Sequence, residues 1–403
     1  MLKNISWEEA RDQLLARAHP VSTENVSLYA CAGRILAFPL VAQEDVPAFD
    51  RSAYDGYALK SADVAEASPA SPVTLSITET VPAGTVPSLP VCHGTAAHVM
   101  TGAGIPEGAD CVINFERTSF TDTTVTLACS LRPGDNVVRR GEDVCAGTVL
   151  AACGTRADPG IAGTLASQGI TAVSVYRRPV IGLVSTGSEI VEAEEIPSPG
   201  AIRNANRATF TALLSREGCD VVYLGHTGDD VNAIAACIRK GLASCDAVLL
   251  TGGVSVGDWD VTPEAMENAG VDILLRGVSM KPGMACCYGF SGDHPVLGLS
   301  GNPASALTNF CACVLPAIRR LCGQKDPLPQ PLTARLLRRF PKKSPATRFL
   351  RGRLTLNGEV GFDAAPDQGN IVLSSAIGCN AFLMIPAGSG PVDAGEQLKG
   401  FMI

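Results

Sequence analysis

The sequence lacks the features that mark several common classes of protein. Its 403 residues contain no continuous apolar run of about 18 residues, the length that a membrane-spanning helix requires. The GxxxxGK[ST] motif is missing, which excludes a P-loop nucleotide hydrolase. The five histidines have no recognisable catalytic partner, so no serine–histidine–aspartate triad is predicted. We therefore expect no association with a membrane. We also expect a reaction that uses neither a P-loop nor a catalytic triad.

Basic residues are also scarce, because 32 lysines and arginines face 40 acidic residues, for a net charge of −8. This balance argues against nucleic acid as a partner, since binding phosphates requires a basic surface. The N-terminal segment MLKNISWEEARDQLL has the pattern of an amphipathic helix rather than a secretory signal. We therefore expect a cytoplasmic protein whose 15 cysteines are free thiols. No pair has CxxC spacing, so most are predicted to be small core residues.

The order of predicted elements indicates several domains. From about residue 179 to 317 strands alternate with helices, and each glycine-bearing loop follows a strand. This alternation predicts a three-layer α/β domain with a mostly parallel sheet. In such a domain, the ligand-binding site is expected at the carboxyl ends of the strands. Short β-like runs with proline and glycine over 41–146 predict a mainly β insertion. The alternating strands after Gly323 predict a C-terminal β-barrel-like domain.

Residues 246–266 are the most informative stretch, because an apolar strand ends there in glycines and a helix follows. The helix start is 262–264, with Thr262 as its predicted hydroxyl cap. Glycine N–H groups and a helix N-terminus favour an anion, whereas two aspartates repel one unless a cation lies between. The loop therefore predicts an anionic ligand with a divalent cation; an ordinary exposed turn is the alternative. Its residues of interest are Gly252, Gly253, Ser255, Asp258 and Asp260.

Two further acids follow strands that end at the same sheet edge. Glu189 comes after the STG turn, and Asp229 stands beside Asp230 at a helix start. Each could simply cap a helix or complement its dipole. Four carboxylates gathered in one cleft would repel one another strongly without cations. Oxygen donors beside an anion favour Mg²⁺ over zinc or copper, so the predicted metal ligands are Glu189, Asp229, Asp258 and Asp260.

Other segments have both a binding and a purely structural interpretation. Lys281 could neutralise a phosphate or oxyanion, or could be a solvated turn residue. The turn Ser300-Gly301-Asn302-Pro303 begins a helix and could contact a ligand or only cap that helix. Residues 50–59 place aspartates beside a compact turn. Residues 139–143 pair two arginines with two acids, either as surface ion pairs or as a phosphate contact.

Seven motifs, in order along nearly the whole chain, resemble those of the MoeA-type molybdopterin molybdenumtransferases, which are related to the C-terminal part of gephyrin. They are DRSAYDGYAL, VMTGAGIPEGADCVI, RRGEDV, STGSEI, TGGVSVGDWD, MKPG and LSGNPASA. The resemblance implies insertion of molybdate into adenylylated molybdopterin, with release of AMP and a requirement for Mg²⁺. It also implies a homodimer, in which the insertion domain of one subunit faces the α/β domain of the other. Transient partners would be a molybdopterin adenylyltransferase and the apo-molybdoenzymes.

The resemblance also implies domain boundaries and residue roles. The expected domains are 1–25 with 179–322 (α/β), 26–40 with 147–178 (connector), 41–146 (mostly β insertion) and 323–403 (C-terminal β). The predicted catalytic acids are Asp55, Glu189, Asp229 and Asp260. Together with the glycine loop, the predicted ligand-binding residues are Thr101, Asp143, Gly252, Gly253, Ser255, Lys281, Ser300, Asn302, Pro303, Arg351 and Ser375.

Three segments depart from the common family pattern. Met284 stands where many relatives have the second lysine of KPGKP, Ser188 replaces an aspartate after the STG turn, and 204–206 reads NAN in place of DSN. These changes could tune the choice between molybdate and tungstate. Two other functions stay open: adenylylation of molybdopterin with ATP, and a non-catalytic dimeric scaffold or carrier of molybdopterin or molybdenum cofactor.

Overall fold

The structure is a computed structural model that describes residues 1–255, 261–356 and 359–403. Asp258 and Asp260, both predicted metal ligands, lie outside the described residues. Within the described ranges, no helix is long and apolar enough to cross a membrane. The chain forms two compact units: unit 1 is Met1–Phe38, Cys153–Asp158 and Ala172–Ile403, and unit 2 is Pro39–Ala152 and Pro159–Thr171.

The elements of the described residues run as follows. The α-helices are α1 (Trp7–Arg17), α2 (Pro159–Ser167), α3 (Ala205–Glu217), α4 (Val231–Leu242), α5 (Thr262–Asn268), α6 (Pro303–Asn309) and α7 (Leu315–Leu321). The strands are β1 (Leu2–Ser6), β2 (Thr23–Ser27), β3 (Leu40–Val41), β4 (Arg51–Ser52), β5 (Gly56–Leu59), β6 (Val73–Val81), β7 (Thr95–Val99), β8 (Cys111–Asn114), β9 (Thr118–Phe120), β10 (Thr124–Leu127), β11 (Val137–Val138), β12 (Val149–Ala151), β13 (Ala172–Tyr176), β14 (Val180–Thr186), β15 (Ile190–Val191), β16 (Ile202–Arg203), β17 (Asp220–Thr227), β18 (Ala247–Thr251), β19 (Asp272–Lys281), β20 (Cys286–Ser291), β21 (His294–Leu299), β22 (Pro331–Leu336), β23 (Thr347–Leu356), β24 (Val360–Ala364), β25 (Ala381–Ile385) and β26 (Gln397–Met402).

A mixed sheet with helices on both faces forms the centre of unit 1. Strands β17, β14, β18 and β21 pair in parallel in that order, and β20 and β19 continue the sheet antiparallel. Alternate side chains of β18 enter different cores: Leu249 packs with Phe210 of α3, whereas Leu250 packs with Ile234 of α4. The strands read as nearly continuous apolar runs because both faces are covered.

A closed ring of strands forms the C-terminal part of unit 1. In order around the ring, β23, β24, β22, β26 and β25 are paired, and β25 pairs with β23 to close it. Its interior contains Leu350, Phe362 and Leu383, and closure removes the exposed strand edges. The α/β and barrel-like character predicted from the sequence is therefore confirmed, while the finer division into four domains stays a prediction.

Unit 2 is mostly β-structure. Its six-stranded sheet has the order β8, β5, β7, β6, β10 and β9. Successive residues of β5 serve two cores, with Tyr57 and Leu59 on one face and Ala58 on the other. Gln168, just after α2, accepts hydrogen bonds from the backbone N–H groups of Gln43 (2.7 Å) and Glu44 (2.9 Å), which attaches that helix to the unit.

The fifteen cysteines are free, and most of them are buried or partly buried. Burial raises the pKa of Cys286 to about 11 and that of Cys311 to about 12, because a thiolate loses solvation in an apolar core. Cys92 and Cys145 are the exposed cysteines. The thiols therefore divide into an inert, fully buried group, four partly buried thiols and the accessible pair Cys92 and Cys145.

Alkylation of the native protein is expected to follow this division. Brief treatment with iodoacetamide near pH 8 should modify Cys92 and Cys145 first, and should leave Cys286 and Cys311 unmodified until urea is added, because only the thiolate reacts. Peptide mapping by mass spectrometry measures the order. Equal rates for Cys311 and Cys92 in the native protein would contradict the burial described here.

Candidate active site

A cleft with a volume of about 590 Å³ opens at the carboxyl ends of β14, β18 and β21. Strands β14 and β18 contribute their final residues, and the loops after β14, β17, β18 and β21 line the cleft, as expected for an open α/β sheet. Residues near the N-termini of α3 and α6 complete the polar part of the wall. The cleft brings together eight residues that the sequence predicted for the site: Glu189, Asp229, Gly252, Gly253, Ser255, Ser300, Asn302 and Pro303.

The neighbouring acids Asp229 and Asp230 have different roles. Asp230 is the N-cap of α4 and accepts a hydrogen bond from the backbone N–H of Ala233 at 2.7 Å. Asp229 lines the cleft, and its Oδ2 accepts from the backbone N–H of Ser188 (3.2 Å) and from the Ser188 hydroxyl (3.0 Å). The capping interpretation therefore applies to Asp230, whereas Asp229 presents a carboxylate to the cleft.

Glu189 is the second carboxylate of the cleft among the described residues. Its side chain folds back over the preceding turn, so that a Cβ on Gly187 would lie only 2.7 Å from Glu189 Oε2. Gly187 also has a φ of +130°, a conformation that L-residues other than glycine rarely adopt. The glycine of the STG turn therefore permits both the turn and the position of this carboxylate.

The glycine pair after β18 brings backbone to the floor of the cleft. Gly252 has a φ of +110°, and a Cβ there would lie 2.5 Å from the carbonyl oxygen of Thr186. Thr262 does not cap α5 as predicted: no side-chain cap bond is made there, and its hydroxyl instead donates to the carbonyl oxygen of Gly252 at 3.0 Å. The hydroxyl therefore holds the glycine loop against the start of the helix.

The turn at Ser300–Pro303 is held by side chains on both sides. The backbone N–H of Asn302 donates to Ser300 Oγ at 3.2 Å, and Pro303 begins α6. Across the cleft, Asn206 Nδ2 donates to the carbonyl oxygen of Gly301 at 2.9 Å. Asn206 is buried and its Oδ1 makes no hydrogen bond within the described part of the chain. Asn206 therefore belongs to the site, although sequence reasoning noted it only as part of NAN.

A polar network fixes the start of α3 beside the cleft. Asn204 caps the helix and donates to Ser185 Oγ at 2.9 Å, while Glu192 accepts from Tyr223 and from Arg207, each at 2.6 Å. Burial, helped by the hydrogen bond to Glu192, raises the pKa of Tyr223 to about 12. Burial would raise the pKa of Glu192, but hydrogen bonds from Tyr223 and Arg207 outweigh it and lower that pKa. The network keeps Glu192 ionised and the helix start in place.

Two other predicted residues, Arg351 and Ser375, contact each other in the barrel rather than lining the cleft. Arg351 is fully buried; its Nε donates to Ser375 Oγ at 2.9 Å, and Nη1 has no hydrogen-bond partner within the described residues. Burial lowers the pKa of Arg351. The adjacent loop contacts the site, because Asn370 O accepts from the N–H of Ser305 (3.1 Å) and Ile371 lines the cleft.

Lys281 also lies outside the lining of the cleft. It is the exposed last residue of β19, paired in register with Arg348 of β23. Met284, which replaces the common lysine, is exposed as well, and its carbonyl oxygen accepts from the N–H of Val278 at 3.0 Å. The structure thus places the MKPG segment at the junction between the sheet and the barrel.

In unit 2, two predicted residues are in direct contact. Asp55 Oδ1 accepts from the backbone N–H of Thr101 at 2.6 Å and from its hydroxyl at 2.7 Å. The backbone bond first, and then the hydroxyl bond, lower the pKa of Asp55, so its carboxylate stays ionised into the acidic range. Asp143 is exposed, and its N–H donates to the carbonyl oxygen of Val46 at 3.0 Å.

The arginines of the RRGEDV motif form ion pairs on the surface of unit 2. Arg139 Nη1 contacts Asp50 Oδ2, and Arg140 Nε contacts Asp45 Oδ2, both at 2.6 Å. The partners Asp50 and Asp45 lie 89 and 95 residues earlier in the sequence, whereas the motif's own acids, which the structure also describes, do not pair with these guanidinium groups. Both guanidinium groups form surface ion pairs, but the predicted pairing with the acids of the motif is wrong.

The carboxylates of the cleft fit a magnesium ion better than a structural metal. In the described parts of the chain, no group of three or more histidine, cysteine, aspartate or glutamate side chains is arranged to hold a metal. Glu189 and Asp229 offer oxygen donors. Mg²⁺ commonly uses one or two carboxylates and completes its shell with water and substrate phosphate oxygens, so this donor set suits an ion bound together with its substrate.

Comparisons with known proteins agree with this geometry. The chain matches family models described as MoeA N-terminal region (domain I and II) over residues 5–169, probable molybdopterin binding domain over 182–320, and MoeA C-terminal region (domain IV) over 333–399. It is 35% identical over 397 residues to a molybdopterin molybdenumtransferase of Staphylococcus epidermidis, covering 97% of this chain and 94% of that protein. It is 36% identical over 388 residues to the Bacillus subtilis protein of the same name, covering 94% and 90%.

A solved structure of similar fold spans the whole chain. The crystal structure of a molybdopterin biosynthesis moeA protein from Pyrococcus horikoshii OT3 superposes with a TM-score of 0.87 at 30% identity, covering 99% of this chain and 100% of that chain. The curated relatives are transferases, which favours an enzyme over a carrier. The chain belongs to the MoeA family of molybdopterin molybdenumtransferases and is a transferase of molybdenum cofactor biosynthesis.

Proposed function

We propose that the enzyme inserts molybdate into adenylylated molybdopterin and releases AMP, in a reaction that requires Mg²⁺. The observation that supports this most directly is the pairing, in one cleft, of two carboxylates with glycine loops and helix starts. Backbone N–H groups at such loops favour phosphate oxygens. Carboxylates beside an anion site would repel the anion by themselves. A divalent cation bound by both the carboxylates and the substrate removes this repulsion and polarises the substrate.

The roles that we propose follow from position. Glu189 and Asp229 would hold the ion, and the sequence motif adds Asp258 and Asp260 as further proposed ligands. When bound, Mg²⁺ would supply the Lewis acidity that weakens the phosphoanhydride. The turn Ser300–Pro303 and the glycine pair would orient the substrate, and Asn206 would hold that turn in place through its hydrogen bond to the carbonyl oxygen of Gly301. Lys281, Arg351, Ser375, Asp55, Thr101 and Asp143 are proposed as further contributors on the basis of the family resemblance.

Assembly and location are part of the same proposal. We expect a homodimer in the cytoplasm, with transient contacts to a molybdopterin adenylyltransferase and to apo-molybdoenzymes. The family relationship supports these expectations. Sedimentation equilibrium of the purified protein tests the dimer, and a monomer at micromolar concentration would contradict it.

The reaction is tested by measuring AMP release from purified adenylylated molybdopterin. Full activity should require molybdate and Mg²⁺ and should be abolished by EDTA, and a parallel titration with tungstate compares the two oxyanions. ATP should be unnecessary, because adenylylation precedes this step. Bound pterin without AMP release at catalytic rates would support a carrier instead, and adenylylation of molybdopterin with ATP would support the adenylyltransferase alternative.

Ser188 is expected to act by orienting Asp229. Ser188→Ala removes the hydroxyl bond of 3.0 Å but keeps the backbone bond, so the rate of AMP release should fall about three- to tenfold, the value of one hydrogen bond. Ser188→Thr retains the hydroxyl and should keep most of the activity. The Mg²⁺ concentration for half-maximal rate should rise in the alanine variant. Identical Mg²⁺ titrations for the two variants would contradict this role.

A further inference from the structure

A second cavity, lined by arginines, lies at the opposite end of the parallel strands. Its volume is about 170 Å³, and it lies where β14 begins and α3 ends. Helix α3 has its N-terminus at the active-site cleft and its C-terminus at this cavity. Its 13 residues span roughly 20 Å at 1.5 Å each, so the two sites are separate. The lining includes Arg34, Arg156, Arg177, Arg178 and Arg216.

Two of these arginines are committed to carboxylates of the same unit. Arg177 contacts Asp246 with both terminal nitrogens, at 2.7 and 2.5 Å. Arg34 forms an ion pair with Glu24 and donates to the carbonyl oxygen of Tyr176 at 2.9 Å. The geometry of these pairs is that of structural ion pairs, and their charges are matched.

Arg156 and Arg178 are engaged more weakly. Arg156 Nη1 donates to the carbonyl oxygen of Gly33 at 3.1 Å, which leaves its charge unmatched by that contact. Arg178 Nη1 lies 3.9 Å from Asp220 Oδ1, with about half of each side chain exposed. This distance is beyond a hydrogen bond, and an exposed pair of this kind contributes little.

Arg216 shares its acid with another arginine. Its Nη2 lies 3.4 Å from Glu217 Oε1, whereas Arg319 Nε contacts Glu217 Oε2 at 2.8 Å. Glu217 is buried, with 6% of its side chain exposed. One buried carboxylate therefore faces two guanidinium groups and neutralises only one of them.

The local charge balance is positive. The six arginines named above face the four carboxylates Glu24, Glu217, Asp220 and Asp246, which leaves an excess of two positive charges. The C-terminal ends of α3 and α7 contribute roughly half a negative charge each, so about one positive charge remains. The chain as a whole has a net charge of −8, so the arginines at and beside the cavity are a local departure from an acidic protein.

We propose that this cavity binds a tetrahedral oxyanion of the phosphate class, outside the active-site cleft. Guanidinium groups bind such anions through paired, charge-assisted hydrogen bonds, and Arg156, Arg178 and Arg216 have the capacity for them. A volume of about 170 Å³ is below the roughly 300 Å³ at which drug-sized ligands are usually enclosed. The cavity therefore fits inorganic phosphate, or the phosphoryl group of a small ester whose remainder stays in solvent.

Equilibrium dialysis of the full-length protein with radiolabelled inorganic phosphate at low ionic strength tests this site. Arg156→Ala combined with Arg216→Ala should raise the Kd at least tenfold and remove about one equivalent of bound phosphate. Arg335→Ala is the matched control, because Arg335 is similarly exposed and pairs with Glu359 at 3.0 Å on the barrel. It should leave the Kd within about twofold. Competition by unlabelled glycerol 3-phosphate then distinguishes an ester from the free ion.

Two results would overturn the site. One is phosphate binding that is unchanged in the double variant, since the bound anion would then lie elsewhere. The other is the absence of saturable phosphate binding by the wild type. The arginines would then serve only to compensate the negative C-terminal ends of α3 and α7. Arg156→Lys keeps the charge without the paired donors and should weaken binding less than Arg156→Ala, while circular dichroism verifies the fold of each variant. AMP release should be retained by all of them.

Discussion

Replacing Asp229 with asparagine is expected to lower the rate of AMP release from adenylylated molybdopterin by about 100-fold or more. Asp229 lines the cleft, and the two bonds from Ser188 fix its Oδ2. Asparagine retains the shape but removes the negative charge, so the proposed magnesium site loses a ligand. The measurement is initial rate against Mg²⁺ concentration, and excess Mg²⁺ should restore only part of the activity.

The adjacent acid supplies a closely matched control. Asp230→Asn changes the same side-chain type one residue away, at the position that caps α4 through Ala233. Asparagine is itself a good N-cap, so both stability and AMP release should stay near wild type. If Asp229→Asn behaved like Asp230→Asn, the cleft acid would have no part in the reaction.

Gly252→Ala is expected to lower the free energy of unfolding by about 2–4 kcal/mol, and to reduce AMP release in the protein that still folds. The alanine Cβ would lie 2.5 Å from the carbonyl oxygen of Thr186, in a residue whose φ is +110°. Relief of this contact must move either β14 or the loop, and both line the cleft. Urea unfolding measures the stability loss.

Gly270→Ala separates backbone strain from steric contact. Gly270 also has a positive φ, +81°, but a Cβ there would meet nothing within 4 Å. The expected cost is therefore about 1 kcal/mol from the left-handed conformation alone, with no effect on AMP release. Equal losses in the two variants would show that the approach of Thr186 to Gly252 is not what requires the glycine.

Sequence reasoning located the cleft because its signals are local. A strand followed by a glycine-bearing loop is visible along the chain, and the loops after β14, β17 and β18 bring Glu189, Asp229 and Gly252 to one edge of the sheet. The same reasoning was wrong about Thr262, because its hydroxyl bonds to Gly252 rather than to the helix. Which acceptor the hydroxyl finds depends on how closely the glycine loop approaches the start of α5. The spacing of residues in the sequence does not give this distance.

The remaining parts of the site depend on contacts between distant segments. Ile371 reaches the cleft through a loop of the barrel, and the buried donors of Arg351 fix the adjacent segment. Asn206 is recognisable only when its hydrogen bond to Gly301 is seen. Likewise, Arg139 and Arg140 pair with Asp50 and Asp45 rather than with the acids beside them. None of these pairings has a periodic signature in the sequence.

The position of the first strand has a consequence for the order of folding. Residues Leu2–Ser6 pair in parallel with Leu275–Ser279, so β1 leaves the ribosome long before its partner strand β19 has been made. At about 5–20 residues per second, this interval lasts tens of seconds. Strand β1 and helix α1 are therefore available to chaperones during this interval, until β19 emerges and the central sheet can be completed.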